Sequence, residues 1–502
     1  MRILVTNPGG IGDFILRQPF LSLLLEHGHR LMVAVPEALA PLVSMAAPGA
    51  DSAVLPEEPA VGESGGDGCV AAFRERVEQF DPELVVASAS PPAPVEEVVA
   101  GWLPEVPSIA SGCGDSSSGA APFTRIVPAA RNQPERNRYA ALAAAILGWR
   151  PELPRPRLVL DDETRRRGAQ ELARLGFDPA ACWIVCAGHA PEAAGRNWEP
   201  QQWADLLASL CRRHRLHLLF CGTPEEDSVT ETVRESMGEW RSRTVNLCRQ
   251  DPDLALLAGL LAHASGYIGR QTGPAHIAAA LGKPVLVVAG AGDWPRSTVA
   301  ADDGAVLLTL VPCAGCGWDC HLSKPYCVRQ TPVEEVAAEF DRLISGEKGF
   351  RLRTLEPDRF LLHRLVEDGA ALARERRRRL ESRIGELGRE RATLSSELAS
   401  AKADLASLRD SLSRLERQAE ELRSALKRAE EESARREFEA RELALKAAAA
   451  EAEAAKLADV LQALKEENAR LTAEPRGLFQ GLFRSLLVRL SAKLPGRESD
   501  GP

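Results

Sequence analysis

The sequence predicts an α/β protein: two doubly wound units facing a cleft, followed by a long α-helical coiled coil. Three observations predict it. Short apolar runs alternate with helical patterns twice, each time in the grammar of βαβ units and a parallel sheet. The proline-rich stretch Arg150-Pro151-Glu152-Leu153-Pro154-Arg155-Pro156 reads as a stiff connection between the two series. From about Arg374 the composition turns to Glu, Arg, Ala, Leu and Ser with a heptad spacing of apolar residues. The expected divisions are 1–155, 156–350 with a cysteine-rich loop at 313–327, a coiled coil over 370–473, and a basic amphipathic helix over 476–495.

In the first series Ile3-Leu4-Val5 is a strand. The glycine-rich turn Asn7-Pro8-Gly9-Gly10-Ile11-Gly12-Asp13 follows, and then a helix through Ile15, Leu16, Phe20, Leu21, Leu23 and Leu24. Leu31–Val35 and Leu84–Ala87 are further strands. Ligands of such sheets bind at the carboxyl ends of strands, where the loop of Gly9, Gly10, Gly12 and Asp13 falls. Glycines there admit a ligand close to the backbone, and Asp13 reads either as a helix cap or as a functional carboxylate. Residues 62–68 and 111–119 are rich in Gly and Ser and read as surface loops.

The second series places strands at Trp183–Ala187, Leu216–Phe220, Tyr267-Ile268 and Pro284–Val288. Its most informative stretch is Ser265–Gly290, in which the turn Gly269-Arg270-Gln271-Thr272-Gly273-Pro274 feeds a helix through Ile277, Ala278, Ala280 and Leu281. A Thr-Gly turn at a helix N-terminus leaves backbone N–H groups and the positive end of the helix dipole toward whatever lies in front, which suits phosphates. An ordinary βαβ connection would use the same residues, and His276 on the first turn reads equally as a satisfied, half-buried histidine.

Across 502 residues Lys and Arg number 62 against 71 Asp and Glu, a formal net charge of −9, which argues against a nucleic-acid-binding protein. The apolar run at the N-terminus is too short for a signal-peptide core, and no later stretch approaches a transmembrane helix. Eleven cysteines without an export signal point to reduced thiols or metal binding rather than a disulfide framework. The expected location is the cytoplasm.

Four blocks, in order, carry a family resemblance: RILVTNPGGIGDFILRQPFL, GRNWEPQQWADLL, LLFCGTPEED and IGRQTGPAHIAAALGKPV. Over roughly residues 1–345 the chain resembles the heptosyltransferases of glycosyltransferase family 9, whose fold is GT-B, two Rossmann-like domains. The resemblance implies inverting, metal-independent transfer of a sugar, heptose or similar, from a nucleotide-sugar donor such as ADP-heptose. The implied acceptor is a lipopolysaccharide-type or other cell-surface glycan. It makes Asp13 the general base on the acceptor side. Arg196 takes the family's phosphate-contacting lysine position. Thr272 and Gly273 cradle phosphates with His276 close by, and Glu225 or Glu226 contacts the donor ribose. Two positions depart from the pattern. Gln271 stands where the family has an acidic residue, and Arg196 offers a planar fork in place of a compact charge. Both touch the donor side, so the donor identity is open. A catalytically weakened body acting as a nucleotide-sugar-binding scaffold is the alternative.

Cys313, Cys316, Cys320 and Cys327 have spacings that permit a structural zinc site, with His321 able to replace one thiolate. A thiol-lined loop without metal fits the same spacing, and catalysis itself requires no cofactor by the family analogy. Farther on, Leu380, Ile384, Leu387, Leu394, Leu398, Leu405, Leu408, Leu412, Leu415, Leu422 and Leu426 keep a four-three alternation, with Arg391, Ala401 and Ala419 in the intervening seam positions. The seam is Ala-rich over 436–455 and resumes through Leu457, Leu461, Leu464, Asn468 and Leu471. This predicts a homo-oligomer, as a dimer, over a single helix folded back on the globular body. Phe479, Leu482, Phe483, Leu486, Leu487, Leu490 and Leu494 form one apolar face beside Arg484, Arg489 and Lys493. That helix suits either peripheral contact with the inner face of the plasma membrane or closure of a helical bundle.

Overall fold

The computed structural model describes residues 1–56, 68–90, 92–112, 123–130, 133–189, 196–318, 320, 322, 325–357, 359–431 and 437–473. The first half runs β1 (Arg2–Thr6), α1 (Ile11–Glu26), β2 (Arg30–Val35), α2 (Ala40–Ala46), β3 (Asp51–Val54), α3 (Gly68–Phe80), β4 (Leu84–Ala87), α4 (Pro94–Trp102), β5 (Ser108–Gly112), β6 (Arg125–Pro128) and α5 (Glu135–Leu147). Its six strands are parallel in the order β3-β2-β1-β4-β5-β6. Strand order reverses between β1 and β4, so the loop after β1 opens on the crevice where such sheets bind ligands.

The second half runs α6 (Asp162–Arg174), β7 (Cys182–Cys186), α7 (Pro200–His214), β8 (His217–Phe220), α8 (Asp227–Ser236), β9 (Thr244–Asn246), α9 (Leu254–His263), β10 (Gly266–Arg270), α10 (Gly273–Ala280), β11 (Val285–Val288), β12 (Gly304–Thr309), α11 (Tyr326–Arg329), α12 (Val333–Ile344) and β13 (Phe350–Leu355). Seven parallel strands lie in the order β13-β12-β11-β10-β7-β8-β9, reversing between β10 and β7. Central strands such as β4, β7 and β11 are buried throughout, as a parallel sheet with helices on both faces demands. Their unbroken apolar runs made them legible. Ser111 and Gly112 are strand residues of β5 rather than loop, because the pairing Ser111↔Val127 and Gly112↔Pro128 extends β6 alongside them. The first strand of the Ser265–Gly290 stretch continues to Arg270, leaving only Gln271 and Thr272 ahead of α10. The second sheet also takes in β13, past residue 350.

Local chemistry sets the helix ends. Asp161 accepts from Thr164 N at 2.7 Å to start α6, and Asp253 accepts from Leu256 N at 2.6 Å to start α9. These two helices pack backbone to backbone. A Cβ on Gly168 would stand 2.1 Å from the Gly259 carbonyl carbon, and one on Gly259 would stand 2.4 Å from Thr164 O.

The chain divides into two compact units, 1–374 and 375–502. Helix α13 (Arg359–Glu431) begins in the first and fills much of the second, where α14 (Glu437–Ala473) follows it. Arg423 and Glu451 are ion-paired across the two helices. Twenty-eight residues of continuous helix would hold them ~40 Å apart, so the chain reverses and α14 runs antiparallel to α13. Burial agrees: Ala419, Ala447 and Leu461 are buried, and the seam positions Leu394, Leu398, Ala401, Leu405, Leu408, Leu412, Leu415 and Leu422 are half-buried. Part of the heptad seam thus meets a partner helix within its own chain. Leu380, Ile384 and Leu387 remain 54%, 67% and 48% exposed. The side chains of Leu426, Asn468 and Leu471, and the whole of the expected 476–495 helix, lie outside the described residues.

Gly168→Ala should lower stability by ~1–3 kcal/mol, since a helix backbone must move to admit the methyl. Gly101→Ala, inside α4 with nothing within 4 Å of the new Cβ, should stabilise by ~0.5–1 kcal/mol. Urea unfolding of both variants checks the pair.

Candidate active site

In the first half the site starts at the end of β1. Asn7 bonds Ala34 O through its backbone N–H at 2.7 Å, and its side-chain amide donates to Gly9 O at 3.3 Å. Gly10 is extended, Ile11 begins α1, and Asp13 lies half-buried in the first turn. The chain turns this tightly because of its glycines: a Cβ on Gly9 would stand 2.8 Å from Asp13 Oδ2, and one on Gly12 would stand 3.0 Å from His276 Cδ2. Gly10 has open space around it.

Burial pushes the Asp13 carboxyl above its ordinary range. Arg17, Arg296 and Arg138 oppose that rise, while Glu135 adds to it. Arg17 is buried; it donates to Tyr139 Oη at 2.9 and 3.1 Å and bonds Asn7 Oδ1. Arg138 stacks on the Tyr139 ring at 4.3 Å, donates to Ser88 O at 2.7 Å, and pairs with Glu135. Glu135 is 2% exposed. Burial would raise its carboxyl, but Arg138 and Arg296 outweigh that and hold it below the usual range. Arg296 comes from the segment after β11 in the second half, so this buried cluster spans both halves.

The second half presents β10, Gln271, Thr272 and α10. Thr272 is the extended N-cap and its hydroxyl lies 3.3 Å from Tyr267 Oη, without a side-chain bond into the helix. Ala275 and His276 donate to Thr272 O at 3.0 and 3.4 Å, and Pro274 has no N–H, so Gly273 supplies the first-turn donor that α10 does not itself engage. A Cβ on Gly273 would stand 2.5 Å from Ile11 Cβ. The starts of α1 and α10 therefore touch, and Asp13, Thr272, Gly273 and His276 gather at one junction. His276 is 4% exposed, and burial pushes its imidazole down to about 4, so it is neutral at physiological pH.

Arg196 approaches from the loop after β7. Asn197 fixes that loop: its Nδ2 donates to Ala187 O at 2.8 Å and its Oδ1 accepts from Trp203 Nε1 at 3.0 Å. The Arg196 guanidinium lies 5.3 Å from the centre of the Trp318 ring. The Trp318 indole donates to Asp293, and its ring occupies space that a Cβ on Gly290 or Gly292 would need. Arg196, Trp318, Cys313, Cys316, Cys320 and Cys327 line a cavity of about 140 Å³. Among the described residues no three His, Cys, Asp or Glu converge closely enough to hold a metal ion.

The two glutamates separate. Glu226 pairs with Arg270 at 2.9 Å, both nearly buried, and its side chain fills the space beside Gly188 and Gly222. Glu225 is exposed, with its carboxyl lowered by a hydrogen bond from Thr223. Gln271 lies half-buried at the end of β10. Sequence reasoning missed Arg17, Glu135, Arg138, Tyr139, Arg270, Arg296 and Trp318. The spacing Glu135, Arg138, Tyr139 on one helix carried a signal; nothing in the sequence linked Arg296 to them.

Because the folded His276 imidazole titrates at about 4 against 6.5 for the ordinary group, the unfolded chain binds the extra proton first. Stability from its neutral form is full above about pH 6.5 and declines toward pH 4. His276→Gln should remove ~2 kcal/mol of that decline, seen in urea unfolding at pH 7 and pH 4.5.

Residues 107–308 match the family model described as glycosyltransferase family 9 (heptosyltransferase). No curated protein matches the sequence. Among solved structures, a glycosyl transferase family 9 protein from Veillonella parvula DSM 2008 aligns with a TM-score of 0.56 at 16% identity, covering 69% of this chain and 98% of its own. The E. coli ADP-heptose lps heptosyltransferase II aligns with a TM-score of 0.52 at 18% identity, covering 69% and 99%. At these identities the structures establish the fold. Over residues 107–308 this chain thus matches the glycosyltransferase family 9 (heptosyltransferase) model, within a body of GT-B-like fold continued by a long helical segment.

Proposed function

We propose that the protein is an inverting, metal-independent glycosyltransferase that moves a heptose or similar sugar from a nucleotide-sugar donor, ADP-heptose or a relative, to a lipopolysaccharide-type or other cell-surface glycan. The observation that carries this is the junction of Asp13 with the α10 N-terminus. A carboxylate whose proton affinity is raised by burial stands across from a helix start with a free N–H.

Asp13 takes the proton of the acceptor hydroxyl as its oxygen bonds to the anomeric carbon. The bond from that carbon to the donor diphosphate breaks on the opposite face. The departing nucleoside diphosphate carries the negative charge toward Gly273 N–H and Arg196. Trp318 holds the Arg196 guanidinium as a plane. Glu225, exposed beside the Thr223 turn, is the ribose contact of this reading, since Glu226 is engaged by Arg270. Gln271 replaces a charge in the donor site, which favours a donor other than the usual one; the same substitution supports a weakened, nucleotide-sugar-binding scaffold as the second reading. The protein works in the cytoplasm beside a membrane-embedded acceptor in this proposal, in keeping with the absence, among the described residues, of a helix long and apolar enough to cross a membrane. Exposed Leu380, Ile384 and Leu387 are the surface through which the coiled coil would assemble copies.

Nucleotide release from ADP-, GDP-, UDP- and CDP-sugars with membrane extract tests the reaction. One donor class should be turned over, and Asp13→Ala should cut the rate by ~10²–10⁴-fold. Donor binding without release, unchanged in the variant, would instead establish the scaffold.

The four thiols would hold zinc only by drawing closer than they stand. Elemental analysis of the purified protein should then find one zinc per chain, lost in Cys316→Ser; none in the parent would leave the cavity a thiol-lined pocket.

A further inference from the structure

The pair Glu135–Arg296 has no part in the sugar transfer just described, yet it is a charged contact that joins the two halves beside Asp13. Glu135 opens α5 and packs in the first half; Arg296 comes from the segment after β11 in the second. The contact is double. Glu135 N–H donates to Arg296 O at 2.9 Å, and the Arg296 Nε donates to the Glu135 carboxylate. The second carboxylate oxygen of Glu135 is taken by Arg138 Nε at 2.7 Å. Arg296 is still 38% exposed at its side chain while Glu135 is almost fully enclosed, so the guanidinium lies at the mouth of the cluster.

We propose that Glu135 and Arg296 are positioning residues, a clip across the crevice that seats the Arg296 guanidinium beside Asp13 and so sets the charge around that carboxylate. Glu135, Arg138 and Arg296 all lie within electrostatic reach of Asp13, and only Arg296 is contributed by the other half. Removing it from the cluster by separating the halves would leave Asp13 with the charges of its own half alone. The groups around Asp13 are Arg17 from α1, Glu135, Arg138 and Tyr139 from α5, Arg296 from the segment after β11, and neutral His276 of α10 beside Gly12. Of these, Arg17 and Arg138 are tied to buried partners in the first half whatever the second half does.

A clip of this kind ties the strength of the base to closure of the crevice, and this role rests on Asp13 being the base proposed above. The experiment reads Asp13 directly, so it decides the clip even if no donor is ever turned over. Full-length protein labelled with ¹³C at the aspartate carboxyl is titrated by NMR, with Asp13→Asn assigning the signal. Arg296→Met should raise the Asp13 midpoint by about half a pH unit or more, because a positive neighbour is lost. Arg296→Lys should return it close to the parent. Glu135→Gln should lower it less in the parent than in the Arg296→Met background, because in the parent the loss of the negative neighbour is offset by the unseating of Arg296. A midpoint unmoved by Arg296→Met, or moved equally by Arg296→Met and Arg296→Lys, overturns the clip; so does a Glu135→Gln shift that is the same in the parent and in the Arg296→Met background. Should Glu135→Gln fail to fold, the two Arg296 variants decide alone. Where turnover is measurable, the acidic limb of kcat/KM for nucleotide release should move with the NMR midpoint. NMR shifts without turnover from any donor would sink the transferase reading and leave the clip standing.

Discussion

The close approach of two helix starts is the constraint on which the site depends. Gly12 of α1 leaves just enough room for the edge of His276, and Gly273 of α10 leaves room for Ile11. Any side chain at either glycine would wedge the halves apart. Each helix emerges from the strand where its own sheet reverses order, so two ligand-binding crevices are stacked into one junction. The positive ends of both helices then point into a common space, in which Asp13 supplies negative charge and the α10 start is suited to an anion.

Burying charge at such a junction costs heavily unless every group is engaged. The structure meets that requirement with a chain of partners: Asn7 and Tyr139 on Arg17, Tyr139 and Ser88 on Arg138, Arg138 and Arg296 on Glu135. Tyr139 serves twice, as acceptor for Arg17 and as a ring under Arg138. Dipoles and charges fixed in advance around a carboxylate are what a proton-accepting site uses, since they need not reorganise during reaction. On the other side, Trp318 braces Arg196 from the cysteine-rich segment, which links that segment to the loop after β7.

The helical unit illustrates how a period determines a seam but not a partner. Leu and Ala at heptad spacing require a facing helix, and a second chain satisfies that as well as a return of the same chain. The Arg423–Glu451 pair and the buried Ala419 and Ala447 show the return. Ala447, small and buried, falls in the Ala-rich stretch of α14. Earlier, in α13, Leu380, Ile384 and Leu387 keep the same register without cover.

Local pattern by itself determined the two βαβ series, the proline-rich break between them, the glycine loop ending in Asp13, the Thr-Gly helix start and the heptad seam. Each is written in residues adjacent in the chain, through turn chemistry and apolar period. Short or half-exposed strands such as β3, β6 and β9 carry too few apolar residues to announce themselves. Tertiary structure alone decided what surrounds Asp13, which glutamate is ion-paired and where the seam finds its partner. Arg296 stands 161 residues from Glu135, and the choice between Glu225 and Glu226 turns on Arg270, a strand away. Charges act through space, so the environment of a carboxylate is set by whichever segments the fold brings to it, and no spacing along the chain records them.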